Sequence, residues 1–189
     1  MGRHKEFDPD AVIDDALLVF WRKGYFDASM KDLIEGTGVN SYGLYSVFGS
    51  KRGLFIEAFK RYSASVTDDL VKRIGRAEAT PEGLAKFLGK ASRILSPSGE
   101  KLGCFVCNSM VEHSGADPDI AKLVDANRKM LMDAFQGFLR RQSRAQDADE
   151  VRTNASLLAT GLYTLGLLIR SRASKQTVED HIKSLTALV

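Results

Sequence analysis

The stretch Gly38–Lys51, G-V-N-S-Y-G-L-Y-S-V-F-G-S-K, decides the fold of this chain. Gly38 supplies a tight turn, a short helical segment follows it, and Ser50-Lys51 opens another helix. Just upstream, S-M-K-D-L-I-E-G-T (residues 29–37) reads as a short helix whose Ser29 and Asp32 stand at capping-box spacing. Two short helices joined by a glycine-containing turn of about three or four residues make a helix-turn-helix, whose second helix enters the major groove of duplex DNA. Leu44 and Phe48 lie one turn apart, so they share the face that anchors this second helix. Ser41, Tyr42, Tyr45 and Ser46 are left pointing outward.

Upstream of this unit, Asp8 is a natural N-cap with Pro9 in the first helical position. Val12, Ile13, Ala16, Leu17, Phe20 and Trp21 then recur at helical spacing until Gly24. Downstream, Ser50 caps a long helix over about residues 51–74, beginning with Leu54, Phe55, Ala58, Phe59 and Tyr62. Nothing in that run breaks it, so it is expected to join rigidly a helix-turn-helix domain, 1–50, to a helical domain, 51–189. Further helices are expected over about 81–95, 103–113, 117–141, 146–172 and 177–188, with a loop at Pro97-Ser98-Gly99. The fold class is all-α.

Composition bounds the function classes. The 189 residues are 44% hydrophobic and 27% charged, ordinary for a globular protein. The net charge of +3 is only mildly basic, and residues 1–62 hold as many acidic as basic side chains, so bulk charge does not carry the DNA assignment. The polar start has no apolar signal region, and the most apolar run, 155–169, is too short to cross a bilayer. Two cysteines make no secretory framework. A cytoplasmic protein without membrane attachment is expected. No G-x-S-x-G, H-E-x-x-H or phosphate-cradling loop is present, so no enzyme activity and no cofactor are expected.

The segment D-L-I-E-G-T-G-V-N-S-Y-G-L-Y-S-V-F-G-S-K-R-G-L-F resembles the DNA-binding domain of the TetR/AcrR family of transcriptional regulators. That family's pattern, G-V-x-x-x-x-L-Y-x-x-F-x-x-K-x-x-L, is met by Gly38, Val39, Leu44, Tyr45, Phe48, Lys51 and Leu54. Phe20, Gly24, Tyr25 and Ser29 fit the upstream part. Where the family often has a histidine, this chain has Val47. L-G-C-F-V-C-N-S-M-V-E-H followed by D-P-D-I is similar to a Gly-Cys…Asn…Asp-Pro stretch of one subgroup, some members of which respond to electrophiles or oxidants through cysteine. The resemblance implies a homodimeric DNA-binding regulator, a repressor, released from its operator by a small-molecule effector or by cysteine modification. A helical ligand carrier with a vestigial DNA reader is the alternative.

Each candidate side chain has a physical role. Tyr45 is placed to donate its hydroxyl to a DNA phosphate, and Lys51 adds a cation beside a helix N-terminus. Ser29 can offer a hydroxyl to phosphate too. Base reading falls to Ser41, Tyr42 and Ser46, with Gly43 letting the helix approach closely. Arg3, in the basic start Arg3-His4-Lys5, could enter the minor groove, against the competing reading of a solvated tail.

In the second domain, Cys104 stands near a helix start, where the dipole lowers a thiol pKa, and Cys107 shares its face. Both are candidates for redox or effector sensing with Asn108 and His113, although space-filling cysteine is the common alternative. Met110, Met130 and Phe135 are further candidates for an effector pocket. The Cys-x-x-Cys and His113 spacing within one helix gives no tetrahedral reach, so no metal is expected. Leu158, Gly161, Leu162, Leu165 and Ile169, with Val178, Ile182 and Leu185, form apolar stripes on the last two helices. They read equally as intrachain core or as a dimer interface.

Overall fold

Asp8 opens the first helix as its position requires: its carboxylate accepts the Asp10 N–H at 3.0 Å, and Pro9 follows it in the first turn. The structure, a computed structural model, describes residues 7–113, 117–142 and 147–189. Helix α1 (Pro9–Lys23) buries Val12, Ala16, Leu17, Phe20 and Trp21 and stops at Gly24, whose φ of 87° favours glycine. Helix α2 (Met30–Thr37) starts on the expected capping box, with Ser29 and Asp32 each bonding the other's backbone N–H. Gly38, left-handed at φ 68°, makes the turn into α3 (Ser41–Phe48). Asn40 caps α3 through a 2.8 Å bond from the Gly43 N–H, and Leu44, 1% exposed, pins it down.

Helix α4 (Lys51–Tyr62) lies at the centre of this end of the molecule. Its Leu54, Phe55, Ala58, Phe59 and Tyr62 are buried, and it packs on α1, α3, α7 and α8. The run expected to continue unbroken to residue 74 does continue helically, to Arg76, but through a widened π-helical turn at Ser63–Thr67 before α5 (Asp68–Arg76). Asn127 clasps that turn: Thr67 donates to its side-chain oxygen at 2.7 Å, and its amide donates to the Ser63 hydroxyl at 2.5 Å. Helix insertions of this kind occur frequently at functional sites.

The body consists of α6 (Pro81–Ile94), α7 (Phe105–His113), α8 (Pro118–Leu139), α9 (Ala148–Arg170) and α10 (Lys175–Thr186), with a 3₁₀ turn at the expected Pro97–Gly99 loop. Helix α9 is its axis, touching α6, α7, α8 and α10. That position settles where the apolar stripes expected on the last two helices lie. Leu158, Leu162, Leu165 and Ile169 are buried within the subunit, and a Cβ on Gly161 would lie 2.4 Å from Leu185, itself buried. Their own chain covers them, so within the subunit they serve as core. Val178 and Ile182 are half-buried against the body beside α6. What α9 leaves outside is a different stripe, exposed Leu157, Thr160 and Leu167 with half-buried Thr164 among them.

Among the described residues no strand occurs, and no helix is long and apolar enough to cross a membrane.

Candidate nucleic-acid interface

Helix α3 turns an exposed face outward. Tyr42 is 70% exposed, Tyr45 44% and Val47 48%, while Ser41 and Ser46 are also exposed. Two large aromatic rings on an eight-residue helix leave apolar area in water, at a cost of about 25 cal/mol for each Å² of apolar surface left unburied. A partner that covers them recovers it. The Ser46 hydroxyl donates to the Gly43 carbonyl at 2.8 Å, leaving its oxygen lone pairs available outward.

Three neighbouring residues sit differently from expectation. A Cβ on Gly43 would fall 2.7 Å from Val39 and 3.2 Å from Phe7, so the missing side chain lets α3 pack closely on its neighbours. The Ser29 hydroxyl donates to the Asp32 carboxylate at 2.8 Å, which commits its proton to the cap. Lys23, at 2.5 Å, and Ser29 hold that carboxylate well below its usual pKa. The Lys51 ammonium folds back 4.7 Å over the Tyr25 ring and 3.5 Å from the Phe26 carbonyl, and burial lowers its pKa. Arg3 lies outside the described residues.

The effector candidates separate in the same way. Cys104 precedes α7 and Cys107 lies within it, both buried as free thiols. The helix-start effect expected of Cys104 is outweighed: desolvation pushes its pKa up and raises Cys107 to about 12, so neither is held as thiolate. Asn108 spends its amide on the Leu102 carbonyl at 3.2 Å and so fastens the loop before α7. Phe135 is sealed in the core against Phe87, and Met130 is half-buried elsewhere on α8. Met110 and His113, with Ser109, Asp117 and Ile120, line a cleft of about 270 Å³ between α7 and α8. The His113 Nε2 is buried there without a hydrogen-bond partner among the described residues.

Contacts that local sequence patterns did not reveal tie this body to the end of the molecule formed by α1–α4. His113 lies 4.9 Å from the Tyr25 ring and 5.2 Å from Phe55. Glu112 accepts the Tyr25 N–H at 2.6 Å, and its carboxylate occupies the space that a Cβ on Gly24 would need. Arg52, in the first turn of α4, grips Asp117 through two bonds of 2.6 and 2.8 Å and Asp119 through a third of 2.8 Å. The Trp21 indole donates to the Gly103 carbonyl at 3.0 Å, and Arg170 donates to the Trp21 and Leu102 carbonyls at 2.9 and 3.1 Å. These partners lie tens of residues apart, beyond any helical period.

Residues 12–58 match the family model described as bacterial regulatory proteins, tetR family. The chain is 32% identical over 147 residues to the HTH-type transcriptional repressor ComR of Escherichia coli, covering 77% of this chain and 70% of ComR. The chain belongs to the TetR family. The HTH-type transcriptional regulator YezE of Bacillus subtilis is 27% identical over 186 residues, 96% of either chain. Among solved structures, a cysteine-substituted form of the TetR family regulator CifR, complexed with 26 bp of operator DNA, superposes with a TM-score of 0.82. It is 25% identical and covers 98% of both chains. This TetR-family chain is accordingly a DNA-binding transcriptional regulator, and the family is not one of enzymes.

Proposed function

We propose that this TetR-family protein represses transcription as a homodimer that sets its two α3 helices in major grooves about one helical turn apart, and that a small molecule bound beside His113 releases it. The observation that carries the DNA part is the outward face of α3, with Tyr42 and Tyr45 exposed on a helix anchored from behind by Leu44. Tyr45 and Lys51 would hold phosphates, the latter after its ammonium swings off the Tyr25 ring. Ser41, Tyr42 and Ser46 would meet base edges. The head is formed by α1–α3, and α4 belongs to both units, since it packs on α1 and α3 as well as on α7 and α8.

The α9 stripe of exposed Leu157, Thr160 and Leu167 with half-buried Thr164 between them supports the homodimer, because it leaves apolar side chains in water along one side of a long helix. Release follows if the effector binds better to the arrangement whose reading heads are wrongly spaced. The α7–α8 cleft suits that task, for His113 touches Tyr25 and Phe55 of the head on one side and lines the cleft on the other. Cysteine modification is the less favoured trigger, since both thiols are buried and held protonated.

Fluorescence anisotropy tests the reading, using the full chain on a duplex from its own upstream intergenic DNA and on a scrambled duplex across a salt series. Preference of about 10³-fold or more that survives moderate salt is expected for a specific regulator. Equal, salt-abolished binding to those duplexes and to DNA selected from a random pool would sink it.

A further inference from the structure

Two adjoining clefts open where α6, the segment 96–103 and the α9–α10 turn meet. They measure about 900 and about 450 Å³ and share Lys101, Arg172 and Ala173. Six cations line them, Arg22, Arg93, Lys101, Arg170, Arg172 and Lys175, against only two carboxylates. Both acids are already committed: Glu100 to Arg22 at 2.6 Å, and Glu179 to Lys175 at 3.4 Å. Arg170 spends its guanidinium on backbone carbonyls. Arg93, Lys101 and Arg172 have no carboxylate partner among the described residues. Like charges gathered without a counter-charge repel each other, and an anion removes that penalty.

Two further observations focus the site. Arg172 holds φ 56°, a left-handed conformation at the end of α9 that glycine adopts without strain. Its N–H reaches the Ile169 carbonyl and that of Ala173 reaches Leu168, both at 3.0 Å, so the strained turn is firmly made and its arginine is kept at the junction of the clefts. Residues held in sparsely populated backbone regions concentrate at ligand clamps. The smaller cleft also has an apolar wall, Ile169, Val178 and Ile182, and the N-terminus of α10 beside it adds the positive end of a helix dipole.

We propose that the smaller cleft binds an amphiphilic monoanion, a carboxylate on a short apolar chain, with Arg93, Lys101 and Arg172 around the carboxylate and Ile169, Val178 and Ile182 along the chain. A bare inorganic anion would leave the apolar wall unused, and an uncharged lipid would leave the cations unpaired. The cleft lies between α6 and α10 of one subunit, away from the exposed Leu157 and Leu167 of α9, so it does not require a second copy. A route to the head exists through the Glu100–Arg22 pair and through Arg170, which holds the carbonyls of Trp21 and Arg22 at the end of α1. That route matters only if the regulator reading holds; the binding site does not depend on it.

Trp21 is the single tryptophan, and its indole is bonded to Gly103, two residues from Lys101, so its emission reports on the site without DNA. The full-length protein is titrated with octanoate, octanol, octyltrimethylammonium and inorganic phosphate. A saturable change with octanoate is expected, with none from the others at equal concentration. Arg93→Gln, Lys101→Gln and Arg172→Gly are each expected to weaken octanoate about tenfold, the loss of one charge-assisted contact. Arg172→Gly should keep or raise the melting temperature, because glycine suits that backbone, which separates loss of binding from loss of fold. Equal binding of octanol, or octanoate binding unchanged in all three variants, would overturn the site. So would a change in sedimentation of the variants, which would assign the cations to a contact between subunits. DNA anisotropy of Lys101→Gln without octanoate should match the unsubstituted protein, so failure of either idea leaves the other standing.

Discussion

Tyr45 concentrates the argument at the scale of one residue. Its ring is 44% exposed while the adjacent Leu44 is 1% exposed, so a single step along α3 takes the chain from anchor to contact. Tyr45→Phe keeps the ring and removes only the hydroxyl. If that hydroxyl donates to phosphate, DNA binding weakens by about 1.5 kcal/mol, roughly tenfold. The loss should be the same on an operator duplex and on a scrambled one, because phosphates carry no sequence information. Anisotropy on both duplexes decides it: a loss confined to one would make Tyr45 a reader of bases. The inward and outward sides of α3 were legible because its register depends on residues within the same turn or two. The capping box of Ser29 and Asp32 was legible for the same reason, but two partners were not: Phe7, which crowds the place of a Gly43 Cβ, and Lys23, which pairs with Asp32, both arrive from outside the helix they meet. The thiols follow the same logic. Sequence shows Cys104 near a helix start, but only the fold shows the desolvation that outweighs the dipole.

At the scale of the element, α9 separates what a periodic pattern reveals from what it leaves open. The apolar stripe was plain, yet a stripe does not say which neighbour covers it. The chain covers it itself, with α10 lying so close that Leu185 fills the space over Gly161 and the His181 Nε2 meets the Gly161 carbonyl at 2.8 Å. Gly161→Ala therefore sets two effects against each other. Alanine gains about 1 kcal/mol of helix propensity, while overpacking a close contact costs about 1–3 kcal/mol. A net loss of about 1 kcal/mol is expected, visible as a lowered urea midpoint. Gly137, near the end of α8, has open space where its Cβ would lie, so Gly137→Ala should raise stability by roughly 0.5 kcal/mol. If both substitutions shift the midpoint in the same direction, the close packing of α10 on α9 is not what decides the outcome.

At the scale of the whole molecule, head and body are joined by groups that titrate, so the joint should respond to acid. His113 sits against Tyr25, Phe26 and Phe55, and burial lowers its pKa below the ordinary 6.5. Glu112 and Asp117 pull it upward, and Arg52 adds to the lowering. Unfolding frees the imidazole to take a proton as pH falls through about 6.5, whereas the folded state resists it. This contribution is complete above that pH and declines below it. The carboxylates of Asp117 and Asp119 behave in the same sense at lower pH. Arg52 holds both below their usual range, so the stability they contribute is present above about pH 4 and is lost as acid protonates them. The melting temperature is therefore expected to fall between about pH 7.5 and 5.5, then to fall further below about pH 4. His113→Phe preserves an aromatic ring in the cluster and removes the titration, so its melting temperature should be flat in the upper window yet keep the decline below about pH 4. An undiminished slope in His113→Phe between those first two pH values would show that another group carries it, and the link between the α7–α8 cleft and the reading head would lose its acid-sensitive element.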